Sequence, residues 1–168
     1  MADAIAAAVS GARLGVLITG PEGSGRRRLL EDALRLARVA AAARGEVLAR
    51  EDGPPAPRDR PTVFVMFDAP TDRLTAALAA LERSRRFGVD APMALLATCA
   101  RAPTDGAVET FSREALVDGA LASLLSDLHR APVAAAVVER WRAATGAWSG
   151  RVVRAVRSIG PAGIPTAT

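Results

Sequence analysis

The sequence predicts a three-layer α/β domain, with a parallel sheet between helices and a small helical region at its C-terminal end. Continuous apolar runs of strand length alternate with amphipathic helices, which is typical of parallel strands buried on both faces. Three further helical patterns then follow one another without a strand between them. The 168 residues, of which 50% are hydrophobic, are enough for one domain of ordinary size with a helical appendix.

Composition excludes several classes of site. Cys99 is the single cysteine and His129 the single histidine, which excludes a disulfide framework and a zinc site built on several Cys or His ligands. No apolar run approaches the roughly 20 residues of a membrane span, and Met1–Ser10 lacks the basic start of a secretory signal. We therefore expect a cytoplasmic protein that does not bind membranes. The net charge of +4 permits contact with nucleic acid but does not argue for it.

The N-terminal two thirds of the chain supplies the sheet. The strongest strand pattern is Pro61–Phe67, which is β-branched and aromatic. Leucines and alanines at helical spacing predict the connecting helices. In order, we predict a helical lead-in at Ala4–Val9, a strand at Leu14–Thr19, a helix through Leu29–Ala40 ending at Gly45, a short strand at Glu46–Ala49, a loop at Asp52–Pro61, the Pro61–Phe67 strand, a helix at Thr71–Arg86 capped by Thr71, and a strand at Pro92–Ala97.

The C-terminal third is predicted to be mainly helical. Residues 1–111 are expected to form the α/β core, residues 112–160 a helical lid and residues 161–168 a flexible tail. In order, we predict a short strand at Ala107–Phe111, a helix capped by Ser112 and reaching His129, a helix at Val133–Thr145, a break at Gly146–Gly150, a last helix at Arg151–Ser158 and a frayed tail from Gly160.

A glycine-rich segment between the first strand and the first long helix carries the clearest chemical pattern. Gly20 and Gly25 have the spacing of the phosphate-binding pattern G-x-x-x-x-G-K-[ST], in which backbone N–H groups and a helix N-terminus surround phosphate oxygens. This context predicts a P-loop NTPase-like domain with a helical lid. The candidate nucleotide-binding residues are Gly20, Glu22, Gly23, Ser24, Gly25, Arg26, Arg27 and Thr98, and ATP or ADP with Mg²⁺ is the candidate cofactor.

Two positions of this pattern depart from it. Arg26 stands where a lysine reaches the phosphates, and Arg27 stands where a hydroxyl binds Mg²⁺. One interpretation is a tight turn in a fold that has lost nucleotide chemistry. The alternative is an active P-loop ATPase or kinase in which Arg26 contacts the phosphates.

Two polar residues end neighbouring predicted strands. Asp68 follows the Pro61–Phe67 strand and is the candidate metal ligand, while Thr98 follows the next strand and could sense a terminal phosphate. Ala69 and Pro70 follow Asp68, so the second acid that activates water in an ATPase is missing. Each residue also has a structural interpretation, as a helix-capping acid and as an ordinary strand end.

Arginines recur along the last predicted helix. Arg151, Arg154 and Arg157 are three residues apart and lie along one side of it. A solvated face is the favoured interpretation. Contact with phosphates, and hence nucleic acid as a partner, is the alternative, although no aromatic residues are interleaved for base stacking.

Together these segments resemble a family. Val16–Glu31 resembles the Walker A segment of AAA+/STAND regulatory ATPases, above all the ATPase domain of LuxR/MalT-type regulators, with Arg28-Leu29-Leu30 matching its common end. Pro61–Asp68 resembles the Walker B strand and Ala91–Ala102 the sensor strand. Phe111–Leu116 and Val137–Gly146 resemble the start of the lid and the helix before its turn, although Ala147-Trp148-Ser149 replaces G-N-P.

The resemblance implies ATP-dependent switching and assembly, but the residues that would carry hydrolysis have changed. We therefore expect a degenerate P-loop domain that acts in regulation or assembly by binding a protein, either an active ATPase paralogue or a second copy of itself. A pseudo-receiver signalling module is a further alternative, because Asp68, Thr98 and Phe111–Leu116 also resemble receiver motifs. That fold would require an acidic pair at Thr19-Gly20 and leaves Val133–Ser158 unexplained.

Overall fold

The computed structural model describes residues 13–43, 49–52, 62–88, 93–103 and 108–159. The predicted lead-in at Ala4–Val9, the proline-rich stretch 53–61 and the tail from Gly160 lie outside these residues. The described residues form two compact units. The first, the sheet unit, comprises the residues up to Gly20 together with Arg26–Ser112. The second, the helical unit, comprises Pro21–Gly25 together with the residues from Arg113 onward.

The sheet unit contains a five-stranded sheet in the order β2-β3-β4-β1-β5. Every neighbouring pair is parallel, with Ile18 opposite Thr98 and Phe111 in the two ladders of β1. The apolar runs became strands because each can bury both of its faces in this arrangement. The strands are β1 Gly15–Thr19, β2 Ala49–Asp52, β3 Thr62–Met66, β4 Met93–Cys99 and β5 Glu109–Ser112.

Helices cover both faces of this sheet, which confirms the predicted three-layer α/β class. Helix α1, Arg26–Ala43, buries Leu30 and Leu34 in the same core cluster as Val16 and Ile18 of β1. Helix α2, Thr71–Phe87, packs on the opposite face. Its buried residues Leu74, Ala77, Leu78 and Leu81 share a cluster with Leu17, Phe64 and Leu95.

Two details of the sheet unit differ from the prediction. The edge strand β2 lies at Ala49–Asp52, paired with β3, whereas the short strand was expected at Glu46–Ala49, of which residues 46–48 lie outside the described residues. Thr71 is the first residue of α2 rather than its cap. Pro70 holds the N-cap position without a side-chain hydrogen bond, because its proline ring has no group to donate or accept one.

The helical unit packs three helices around one core: α3 Asp118–His129, α4 Ala135–Thr145 and α5 Ser149–Ile159. Trp141 is fully buried at its centre. Gly146 ends α4 with φ 63°, a left-handed conformation that glycine adopts at low cost. The other buried members of the core are Leu121, Leu125, Val138, Ala147, Val152 and Val156.

The helix expected to begin at Ser112 begins six residues later, so the predicted cap was wrong. Ser112 is the last residue of β5, and its Oγ is hydrogen-bonded to Thr19 Oγ1 at 3.1 Å. Pairing of β5 with β1 prevailed over the local capping preference of serine, and Val117 holds the N-cap position of α3. None of the helices within the described ranges is long and apolar enough to cross a membrane.

Candidate nucleotide-binding site

An ion pair between Arg26 and Asp68 lies at the carboxyl edge of the sheet. Arg26 Nε donates to Asp68 Oδ1 at 2.8 Å, and Nη2 lies 2.6 Å from the same oxygen. Arg26 Nη1 donates to the carbonyl oxygen of Gly20. The Arg26 side chain is 13% exposed and that of Asp68 49% exposed. The guanidinium therefore joins the residues that follow β1 and β3.

Thr98 lies near the end of β4, at the same edge of the sheet. It is fully buried, and its Oγ1 accepts a hydrogen bond of 2.7 Å from the Asp68 backbone N–H. Its carbonyl oxygen accepts another, of 2.8 Å, from Ala69. Asp68 has φ 50°, a left-handed conformation that aspartate tolerates better than most residues. Thr98 thus holds the turn that places the Asp68 carboxylate against Arg26.

The thiol of Cys99, the residue after Thr98, is influenced by the positive charge of Arg26. Burial raises the pKa of its thiol above the ordinary value of 9.0, and the positive charge of Arg26 opposes that rise. No pattern in the sequence links Cys99 to Arg26, which is 73 positions earlier.

Arg27, the other candidate on α1, makes different contacts from Arg26. Its side chain is 64% exposed, and its Nε donates to Glu31 at 3.3 Å, one turn along the helix. Its guanidinium also lies 4.9 Å from the centre of the Phe67 ring, a cation–π distance. Both contacts occupy Arg27 within the sheet unit.

The candidates Glu22, Gly23, Ser24 and Gly25 lie in the helical unit. Gly23 and Gly25 have φ of 79° and 82°, so both need the conformational freedom of glycine. Ser24 donates its backbone N–H to Pro21 O at 3.1 Å, which closes a turn. Its side chain is buried, and within the described part of the chain its Oγ has no hydrogen-bond partner.

The N-terminus of α5 packs against this loop. Ser149 Oγ donates to Ser24 O at 3.4 Å, and the backbone N–H of Arg151 donates to Gly23 O at 3.2 Å. A Cβ added to Gly150 would lie only 2.7 Å from Gly23 O, so glycine is required for this close approach. The loop is therefore part of the packing of the helical unit.

Two arginine side chains also bind the loop carbonyls. Arg151 Nε donates to Glu22 O at 3.1 Å, and Arg113 Nε donates to Ser24 O at 3.3 Å. Arg151 is exposed, as expected for a residue of a solvated face, but its side chain also makes this hydrogen bond within the helical unit. Its hydrogen-bond partner, Glu22, is 129 positions away in the chain, so no local sequence pattern indicates this contact. Arg154 is solvated, with 74% of its side chain exposed, and lies 3.9 Å from the Glu22 carboxylate.

Comparisons with known proteins place the fold. No protein-family model matches the sequence, and no curated protein matches it. Among solved structures, a RuvB variant from Thermotoga maritima matches with a TM-score of 0.57 and 15% identity over 93% of this chain. The chain spans 59% of the length of that RuvB. The HORMA:CdnC:Trip13 complex of Escherichia coli MS115-1 matches with a TM-score of 0.51 and 12% identity, over 96% of this chain and 70% of the other.

RuvB and Trip13 are AAA+ ATPases, so these matches show a P-loop AAA+-like fold. Identities of 12% to 15% carry the fold alone. The three C-terminal helices that the receiver alternative left unexplained form the core of the helical unit. The chain thus has an α/β P-loop fold of the AAA+ type, with arginines at the two positions of the loop pattern where the chemistry differs.

Proposed function

We propose that the chain is a degenerate P-loop regulatory or assembly domain that acts by binding protein and hydrolyses nucleotide weakly or not at all. The ion pair of Arg26 with Asp68 carries this proposal. In hydrolysing P-loop proteins the lysine is directed at the phosphates, while a hydroxyl and an acid hold Mg²⁺. Here the residue at the lysine position is bound to the acid.

The charges at this edge balance without a ligand. Arg26 directs Nε and Nη2 at Asp68 and Nη1 at Gly20 O, so three of its nitrogens are engaged within the sheet unit. The carboxylate of Asp68 is neutralised at a contact distance of 2.6 Å. A charge-assisted pair of this kind competes directly with an incoming cation for the carboxylate and with an incoming phosphate for the guanidinium.

The residues present do not fit a Mg²⁺ ion. Mg²⁺ takes six oxygen ligands in near-octahedral geometry, and Arg27 supplies no oxygen where the pattern has a hydroxyl. In the ranges that the structure describes, no group of three or more His, Cys, Asp or Glu side chains could hold a metal. Asp68 as a metal ligand therefore has little support, and any ATP or ADP binding at this loop would not depend on Mg²⁺.

Residual nucleotide binding and the partner belong to the same proposal. The left-handed glycines and the buried Ser24 hydroxyl support weak binding of ATP or ADP to the loop. The protein partner is either an active ATPase paralogue or a second copy of the chain. The exposed Arg154 and Arg157 keep nucleic acid as a further candidate, supported by charge alone.

The test is a comparison of wild type with a variant in which the motif is restored. Arg26→Lys combined with Arg27→Thr rebuilds the missing ammonium and hydroxyl, and it leaves the loop glycines unchanged. Gly25 is a poorer target, because an added Cβ would lie 3.0 Å from Ser149 Oγ and would perturb the helical unit. ATP and ADP are titrated calorimetrically into each protein, with and without Mg²⁺, and phosphate release is followed in parallel.

Wild type is expected to release little or no phosphate above the blank and to show no effect of Mg²⁺ on nucleotide binding, whereas the restored variant gains Mg²⁺-dependent affinity. Turnover by wild type at about 1 s⁻¹ or faster would overturn the proposal. If Arg26→Ala then abolishes that turnover, the Arg-type ATPase or kinase is the correct interpretation. Arg28→Ala is the matched control, because Arg28 lies on the same helix and binds only Asp32 in the described ranges.

A further inference from the structure

A groove in the helical unit combines an apolar floor with an acidic rim. Its volume is about 340 Å³, and it lies where the first turns of α3 and α4 face each other. Asp118 and Glu139 stand at the rim, and the floor is lined by Ala122, Val133, Ala135 and Val138. The floor side chains are short, so an aliphatic side chain can enter between the helices. None of the candidate nucleotide-binding residues lines this groove.

A glycine beside the groove has no structural requirement within the described part of the chain. Gly119 is the second residue of α3, where glycine weakens a helix relative to alanine. Its φ is not positive, and a Cβ added there would meet nothing within 4 Å. Neither the backbone conformation nor the packing of the helical unit therefore explains the glycine. Glycine does allow the backbone of another molecule to approach closely, and Gly119 lines the groove.

The rim carries a negative charge that no arginine of the described ranges neutralises. Arg142 is three residues after Glu139, but its guanidinium binds Asp118 Oδ1 and Leu116 O instead. Exposed Glu139 is therefore left with no ion-pair partner in those ranges. A cation that reaches the groove from another molecule meets a free carboxylate beside an apolar floor.

We propose that this groove binds a basic segment of another protein, in which an aliphatic side chain stands beside an arginine or a lysine. The aliphatic side chain enters the floor between α3 and α4, the cation pairs with the Glu139 carboxylate, and the backbone of the segment lies against Gly119. The Glu139 carboxylate also selects against acidic segments, because like charges repel. The inference rests on the protein-binding part of the proposed function, and it names the surface and the chemistry of the partner.

The test begins with random peptides displayed on phage and selected on the immobilised full chain. Each round includes a counter-selection on Gly119→Leu, in which the new side chain occupies the open space beside Gly119 and obstructs the groove. We expect the enriched peptides to carry leucine, isoleucine or valine beside an arginine or a lysine. Enriched peptides that are acidic, or a selection that enriches no peptide, would overturn the proposal.

The most enriched peptide is then labelled and titrated by fluorescence anisotropy. Wild type is expected to bind it with a Kd of about 1 to 100 µM, and Gly119→Leu and Glu139→Arg should each weaken binding about tenfold or more. Ala120→Leu and Glu114→Arg are the matched controls, since both positions are exposed, lie outside the lining of the groove and receive the same new residues. They should bind the peptide like wild type.

A charge-swapped peptide is the decisive sample. Exchanging its basic residue for glutamate should abolish binding to wild type and restore binding to Glu139→Arg. Unchanged affinity for Gly119→Leu, or no rescue by the swapped peptide although Glu139→Arg melts like wild type, would overturn the proposal. Self-association of wild type that Glu139→Arg abolishes would assign the groove to a second copy and would overturn it too.

The outcomes separate this inference from the proposed function. Wild type that binds no peptide and has no ATPase activity removes only the groove as a binding site. ATP turnover by a wild type that binds the peptide removes only the absence of hydrolysis.

Discussion

The loop and the helix that follows it preserve different parts of the phosphate-binding pattern. Gly23 and Gly25 hold left-handed conformations, so the backbone requirement of the pattern is met. At Arg26 and Arg27, where the pattern requires an ammonium and a hydroxyl, the side chains bind Asp68 and Glu31 instead. Packing against α5 explains the glycines without any nucleotide. A glycine pattern alone is therefore weaker evidence of nucleotide chemistry than the side chains that follow it.

The largest effect is expected from a substitution that disturbs the packing of α5 on the loop. Gly150→Ala places a Cβ 2.7 Å from the carbonyl oxygen of Gly23, so the loop or the helix must shift. We expect a loss of about 1 to 3 kcal/mol in the free energy of unfolding, the usual cost of overpacking. Urea denaturation followed by circular dichroism measures it.

Gly119→Ala is the matched control for this substitution. Gly119 is the second residue of α3, as Gly150 is of α5, and a Cβ added there meets nothing within 4 Å. Alanine at an unobstructed helical position should stabilise the protein by about 0.5 to 1 kcal/mol. Equal effects of the two substitutions would show that the loop is not held by α5.

A double-mutant cycle on Arg26 and Asp68 measures how strongly the side chain at the lysine position interacts with the acid. Arg26→Gln and Asp68→Asn each remove one charge, and asparagine keeps the tolerance for φ 50° that position 68 needs. We expect a coupling free energy of about 1 to 2 kcal/mol, since Arg26 is mostly buried while Asp68 is half exposed. The same cycle on Arg28 and Asp32, an exposed pair on α1, should give less than about 0.5 kcal/mol. Equal couplings would mean that the Arg26 pair is an ordinary surface contact.

The sheet strands with unbroken apolar runs were predictable from sequence, whereas the two edge strands were located less well. β1, β3 and β4 are buried throughout and differ from their predicted bounds by one or two residues. β2 has the sequence Ala-Arg-Glu-Asp, and its residues Arg50–Asp52 were not predicted as strand, since an edge strand tolerates charges that obscure its pattern. For β5, the local preference of serine predicted that Ser112 would cap a helix, whereas pairing with β1 places it in a strand.

The candidate site was predictable only in its position. The spacing of the glycines and the ends of β3 and β4 placed Gly20, Asp68 and Thr98 at one edge of the sheet, and the structure has them there. The contacts that decide its chemistry join Arg26 to a residue 42 positions away and Arg151 to one 129 positions away. Such pairings depend on the three-dimensional packing, so the sequence alone favoured no partner for either arginine.

The smallest expected effect is on the ionisation of Cys99. Burial raises the pKa of its thiol above 9.0 and the charge of Arg26 lowers it, so Arg26→Gln should raise that pKa further. A thiol whose pKa is raised by folding stabilises the protein fully below the unfolded value, and this contribution is lost as the pH rises through the folded pKa. The ultraviolet absorbance of the thiolate reports the titration directly, because the chain contains no tyrosine to mask it, and Cys99→Ser supplies the baseline. If Arg26→Gln left the thiol pKa unchanged or lowered it, the Arg26 charge would not lie beside Cys99, and the arrangement of the carboxyl edge described above would be wrong.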